Sequence, residues 1–252
     1  MPVETARVRT PFAPALDLPP AFRLVSLREV GDAFARAQEI AADEGAGTLV
    51  WVGRFDLVEF AVVLEPDEPL RAARRAVYAG MAALADALAV HAPPEKPIAF
   101  DWPDAVRVDG GLVGGGRLAW PAGAAEDAPP PWLVFGASVR TVAMSDTMSG
   151  LRPIEAALED EGFADLGSGK LVESFARQLM VLIDAWQESG FSEVARSYLT
   201  RLPAEPNVER TIDGAGDLLV RRKGKLDVQK HRLLPTLAAP SWLDPQTGAP
   251  RA

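Results

Sequence analysis

The stretch Phe100-Asp101-Trp102-Pro103-Asp104-Ala105-Val106, continuing through Arg107-Val108-Asp109-Gly110-Gly111 to Leu112-Val113-Gly114-Gly115-Gly116-Arg117-Leu118-Ala119-Trp120, decides how this chain is read. Its apolar runs predict a strand entering at Ile98–Trp102, a turn at Asp109-Gly110-Gly111, and a returning strand unusually dense in glycine. Asp-Gly between two apolar runs is a strong hairpin signal, because the tight turn needs positive φ at its central residues. Glycine inside a strand weakens it, so the run Gly114-Gly115-Gly116 implies that something comes close to the backbone there, either tight packing or a ligand.

Outward from the hairpin, helical and strand periods alternate. Residues 1–22 are rich in proline and lack helical period, which predicts an extended arm over the body. Val30, Ala33, Phe34, Ala37, Ile40 and Ala41 fall on one face of a helix over Glu29–Asp43, ending at Gly45 or Gly47. Thr48–Val52 and Glu59–Leu64 read as strands joined by a turn at Gly53-Arg54-Phe55-Asp56. Leu70–Val90 reads as one helix with Ala73, Val77, Met81, Leu84 and Leu88 in a stripe, stopped by Pro93-Pro94. Beyond the hairpin lie an acidic loop over Gly123–Pro131 and a strand over Trp132–Val142. Residues 143–168 read as irregular with a short helix near Ile154–Asp160, followed by helices over Lys170–Glu188 and Phe191–Leu202. After Pro203–Pro206 the texture becomes that of a small β module: Val208–Ile212, a turn at Asp213–Gly216, and Asp217–Arg221. The expected division is thus 1–202 and 203–252, and the fold class is α+β, a mixed central sheet flanked by helices with a C-terminal β module.

Bulk composition narrows the function. A chain of 252 residues that is 48% hydrophobic can bury a substantial core. A net charge of -9 argues against a nucleic-acid surface, which needs a basic field. The absence of cysteine excludes disulfides, thiolate metal sites and a thiol nucleophile. Met1-Pro2-Val3-Glu4-Thr5 lacks the basic and apolar regions of a leader, and no apolar run approaches ~20 residues. A cytoplasmic protein without a membrane partner is the expectation.

Several tempting motifs weaken on inspection. Gly167-Ser168-Gly169-Lys170 lacks the first glycine of a phosphate loop and has Leu171 where a magnesium-holding hydroxyl belongs, so it reads as a helix start. Gly136-Ala137-Ser138-Val139-Arg140 lacks the second glycine of a nucleophile elbow. His91 and His231 are isolated, which makes no transition-metal site. Trp51, Trp102, Trp120 and Trp132 suit a core, though an apolar slot also needs such walls. Arg140 inside an apolar strand needs an acid such as Asp104 or a ligand to offset its burial.

The hairpin resembles the signature of the biotin/lipoate-protein ligase family, where Lys-Trp-Pro-Asn-Asp precedes a turn and Lys-Val-Gly-Gly-Ile-Leu-Val-Glu. Trp102, Pro103 and Gly114-Gly115 keep the pattern, while Asp101 and Leu112 stand in place of its lysines and Asp104 in place of its asparagine. The resemblance extends along most of the chain. Asp32-Ala33 is similar to an early Asp-Ala helix, Gly53-Arg54 to the start of a Gly-Arg-Gly-Arg loop, and Trp132–Val142 to a Val-Ile-Gly-Ile-Gly-Ile-Asn-Val strand in which Ser138 replaces glycine and Arg140 asparagine. Trp186–Phe191 resembles the joint before the family's small C-terminal domain.

This resemblance implies a slot for a medium-length carboxylic acid, biotin or lipoate, bound beside ATP with magnesium. It implies an acyl-adenylate and transfer to a lysine of a biotinyl or lipoyl carrier domain. Arg54, Trp102, Asp104, Gly114, Gly115, Gly116, Arg117, Ser138 and Arg140 are the implied ligand-binding residues. No catalytic residue is assigned, because Leu112 cannot supply the strand cation that gathers charge at phosphorus. Arg117, five residues from Leu112, reaches the same face only if a bulge interrupts the glycine run. The basic run Arg221-Arg222-Lys223-Gly224-Lys225 is a candidate surface for an acidic carrier. The competing expectation is a protein that has lost ligase chemistry and binds an acyl ligand or a carrier domain as sensor or chaperone.

Overall fold

The computed structural model describes residues 16–142, 156–163 and 166–251. Residues 1–15 of the expected arm, and Ile154 and Glu155 of the expected short helix, lie outside them. The described remainder of that helix, Ala156–Asp160, is turn and irregular backbone.

In chain order the elements are β1 (Arg23–Leu27), α1 (Ala33–Glu44), β2 (Thr48–Val52), β3 (Leu57–Leu64), α2 (Leu70–Ala73), α3 (Ala76–His91), β4 (Ile98–Asp101), β5 (Ala105–Val108), β6 (Gly111–Ala119) and β7 (Leu133–Arg140). They continue with α4 (Ser168–Ser189), α5 (Ser192–Leu199), β8 (Val208–Ile212), β9 (Leu218–Arg222), β10 (Val228–His231) and α6 (Leu233–Leu237). A seven-stranded sheet runs β1-β2-β3-β7-β6-β5-β4, parallel only between β1 and β2, and a three-stranded antiparallel sheet runs β10-β9-β8.

The expected hairpin is a three-strand meander. Trp102–Asp104 turn the chain between β4 and β5 through a cis Trp102-Pro103 bond, and Asp109 and Gly110 then join β5 to β6 with φ of 48° and 85°. Positive φ at both positions is what the Asp-Gly pair demanded. The helix expected over Leu70–Val90 breaks at Arg74-Arg75, where Arg74 pairs with Glu126 and Arg75 with Glu68. The broken halves also differ in exposure: α3 is buried on nearly every side rather than along one stripe, because it lies between the sheet and α4 and α5.

One sheet face therefore carries α3 and the main core, including Phe60, Phe135, Phe175 and Met81. The other carries α1 over β2, β3 and β7, through Ala33, Ala37 and Ala41 packed on Val50, Val52, Ala61, Val63 and Val134. Asp32 caps α1 by accepting from the Ala35 N–H at 2.8 Å. The C-terminal module shares the main core through Leu218 and Val220 of β9 and Leu233 of α6. Tyr78 Oη donates to the Gly216 carbonyl at 2.6 Å and Tyr198 Oη to that of Pro103 at 2.9 Å, tying both the module and the cis-proline turn to the helices. Among the described residues no helix is long and apolar enough to cross a membrane.

Candidate functional site

One irregularity in strand pairing sets the face of the site. Arg107 pairs with Leu112 but Val106 with Gly114, so the register shifts and Val113 has no partner in that ladder. An inserted residue resets which side chains point where. Leu112 and Gly115 consequently meet the same residue, Trp242, while Arg117 lies on their face with its guanidinium 4.3 Å from the centre of the Phe34 ring. Val113 and Leu118 point into the helical core, and a Cβ on Gly116 would lie 2.7 Å from Met81 Sδ. The bulge on which Arg117 depended is present, one residue ahead of the glycine run.

The three glycines have different neighbours. A Cβ on Gly114 would stand 2.0 Å from the Ser138 carbonyl oxygen, on Gly115 2.2 Å from the Asp104 carbonyl and 2.5 Å from the Trp242 ring, and on Gly116 against Met81 and Phe135. Close strand packing accounts for Gly114, and core packing for Gly116, which corrects the expectation that all three floor a slot. Gly115 alone offers bare backbone to the candidate face, and the Trp242 indole covers it.

Side chains from β3, β6 and β7 and from the turn between β4 and β5 converge around Gly115. Glu59 and Ser138 are paired neighbours across β3 and β7, and Ser138 pairs in turn with Gly115. Glu59 accepts from the Ala33 N–H at the start of α1 at 2.8 Å, and burial raises its pKa against the pull of that hydrogen bond. Burial likewise lowers the Arg117 pKa, opposed by the nearby Asp32 and Glu59 carboxylates. Asp104, 2% exposed, is pushed up to about 7 by desolvation, which the adjacent Trp242 indole and its own backbone N–H offset only in part. Of the six buried side-chain N and O atoms without a hydrogen-bond partner among the described residues, four are here: Asp104 Oδ2, Arg117 Nε, Ser138 Oγ and Trp242 Nε1. Folded proteins retain few such atoms, since each costs about 1–3 kcal/mol, so their gathering on one face marks a place built to meet something polar.

The remaining expected residues are engaged elsewhere. Arg54 makes a bidentate pair with Asp56, at 3.0 Å from Nε and 2.6 Å from a terminal nitrogen. Among the described residues Arg140 meets neither Asp104 nor another acid; it donates to the carbonyls of Pro250 at 2.7 Å and Arg251 at 3.0 Å. Trp102 turns away from the face, with Nε1 donating to Tyr78 Oη at 3.0 Å and the ring edge-on to His231. Among the described residues no group of three or more His, Asp or Glu gathers as a metal site. Two open grooves lie along the C-terminal module, one of about 780 Å³ between α5 and β8 and one of about 460 Å³ edged by Arg221, Arg222, Lys223 and Lys225.

Glu59 and Trp242 were not singled out in the sequence. An acid inside Leu57–Leu64, otherwise apolar, was a usable signal for Glu59. Trp242 sits among prolines with no period to reveal what it covers.

Comparison with known proteins places this geometry in a lineage. The profile described as the Biotin/lipoate A/B protein ligase family matches residues 18–200. A biotin protein ligase-like protein of unknown function from a Silicibacter species is 25% identical, with a TM-score of 0.74 over 88% of this chain and 99% of that one. The Aquifex aeolicus biotin protein ligase in complex with biotin and ATP is 13% identical, with a TM-score of 0.59 over 83% and 99%. The Leishmania major enzyme in complex with biotinyl-5-AMP is 15% identical, with a TM-score of 0.54 over 85% and 100%. A search of curated proteins finds no matching sequence.

Proposed function

Since the chain belongs to the biotin/lipoate A/B protein ligase family, we propose that it binds a medium-length carboxylic acid of the biotin or lipoate kind against Gly115, without activating it through ATP. The observation that carries this is the convergence of Asp104 Oδ2, Arg117 Nε and Ser138 Oγ, buried and without a hydrogen-bond partner among the described residues, beside the bare backbone of Gly115. An acid with polar groups at both ends would satisfy these atoms while its apolar body replaced the indole.

The donor set does not suit a magnesium triphosphate. Leu112 stands where the family resemblance calls for a strand lysine, Arg54 is neutralised by Asp56, and no acidic cluster among the described residues would hold the ion. Gathering and stabilising phosphoryl charge requires preorganised cations, which Leu112 and the Asp56-paired Arg54 do not supply. The reading is that of a ligase relative working as an acyl-acid sensor or carrier. The basic edge at Arg221–Lys225 is the surface on which an acidic carrier domain would dock.

Two assays on the purified chain test this together. Calorimetric titration with biotin, lipoate and octanoate should show saturable 1:1 binding of at least one. Exchange of labelled pyrophosphate into ATP with the same acid should stay at background. Absence of binding by every acid removes the ligand reading, and robust exchange restores the ligase.

A further inference from the structure

The segment that covers the candidate face is constructed like a tenant rather than a wall. Trp242 is 1% exposed, packed on Ala105 and Leu112 with its ring over Gly115, the strand face where the family resemblance sets the acyl slot. Among the described residues its Nε1 makes no hydrogen bond of good geometry, and its one polar neighbour is the Asp104 carboxylate, whose pKa it lowers.

Hydrogen bonding around it is self-contained. Arg251 N donates to the Trp242 carbonyl at 2.7 Å, Asp244 N to that of Ala249 at 2.9 Å, and Gly248 N to that of Asp244 at 2.8 Å, closing a loop in which Leu243 bridges Pro250. The side chains of Asp244, Thr247 and Arg251 also bond within the segment. Among the described residues the hydrogen bonds from 242–251 to the body are those from Arg140 to the Pro250 and Arg251 carbonyls. Lifting the loop as a unit would therefore break no sheet ladder.

What the segment presents to the face resembles a ligand. An apolar ring lies on Gly115, and two carbonyl oxygens sit on the Arg140 guanidinium, the arrangement a carboxylic acid would offer. We propose that residues 240–251 are an internal pseudoligand that occupies the acid-binding face and holds it shut. Binding of the acid displaces the Trp242 ring and returns Arg140 to meet the carboxylate. The apparent affinity is then the intrinsic one reduced by the fraction of molecules with the segment lifted. This inference rests on the acid-binding reading above.

Hydrogen exchange on the intact chain and calorimetry with biotin, lipoate and octanoate test it. Without ligand, the amides of Asp244, Gly248 and Arg251 should exchange at least ~100-fold faster than those of Gly114–Leu118, as a separately opening unit does. Trp242→Ala should bind the preferred acid at least ~10-fold more tightly than the native chain, with Trp242→Phe between them. If Trp242→Ala fails to unfold cooperatively, Trp242→Phe, which keeps a ring in place, decides by the same comparison with the native chain. Exchange of the segment at the rate of β6, or equal affinities in native and variant chains, overturns the pseudoligand while leaving acid binding intact. No binding by native or variant chains, with the segment opening freely, instead overturns the acid-binding reading and the pseudoligand with it.

Discussion

Asp104 is a carboxylic acid that burial moves well away from its ordinary state. Burial lifts its pKa from 3.8 to about 7, so the folded chain keeps a proton that the unfolded chain releases between those values. Stability from this site is therefore undiminished below about pH 4, falls as pH rises toward 7, and is flat above it. Asp104→Asn, uncharged and nearly isosteric, should flatten the pH dependence of the thermal midpoint across that window and stabilise the protein at pH 8 by ~1–3 kcal/mol. A variant whose midpoint follows the native pH profile would show that Asp104 is ordinarily ionised. At this scale the sequence was legible in part. Arg117 was expected to depend on a bulge, and the bulge is there; Arg140 was expected to need a partner, and its partner is a pair of carbonyls more than a hundred residues away. Contacts of that separation leave no local trace in composition or period.

Among the elements, those marked by turn chemistry or apolar runs were readable, as were the edge strands β4 and β8, whereas the edge strands β1 and β10 were not. The Asp109-Gly110 turn and the strands β2, β3, β6 and β7 announce themselves by turn chemistry and apolar runs. β1 and β10 are edge strands, mixed or wholly exposed, and their residues show no alternation to detect. The break between α2 and α3 was hidden because Arg74 and Arg75 are good helix formers and keep right-handed helical backbone angles through it. Within α3, Gly80 faces Phe135, where an added Cβ would come within 2.4 Å of the ring. Gly80→Ala should therefore destabilise by ~1–3 kcal/mol despite alanine's better helix propensity, measurable as a lower urea midpoint. A stabilised variant would mean that Phe135 can move aside freely. Tyr198→Phe should cost ~1–3 kcal/mol by leaving the buried Pro103 carbonyl unpaired, and an unchanged urea midpoint would remove that bond from the account of the cis-proline turn.

Over the whole molecule, family membership was legible because a handful of hairpin residues and the order of elements survive at low identity. The closed state of the site was not, since it depends on a tail that no motif announces. The C-terminal module also proves to share the main core, through Leu218 and Val220 of β9, Leu233 of α6 and the Tyr78–Gly216 hydrogen bond. Calorimetric heating should accordingly give a single transition with matching calorimetric and van't Hoff enthalpies, whereas two resolved transitions would make residues 203–252 an independent unit.

The central claim is that the Gly115 face receives an acid once Trp242 leaves it. Its most direct test is a crystal structure of the intact chain soaked with the acid selected by calorimetry. The account predicts ligand density against Gly115 and Ser138, the indole displaced, and Arg140 turned from the Pro250 and Arg251 carbonyls to the carboxylate. Ligand found only in the groove between α5 and β8, with Trp242 still seated on Gly115, would contradict it.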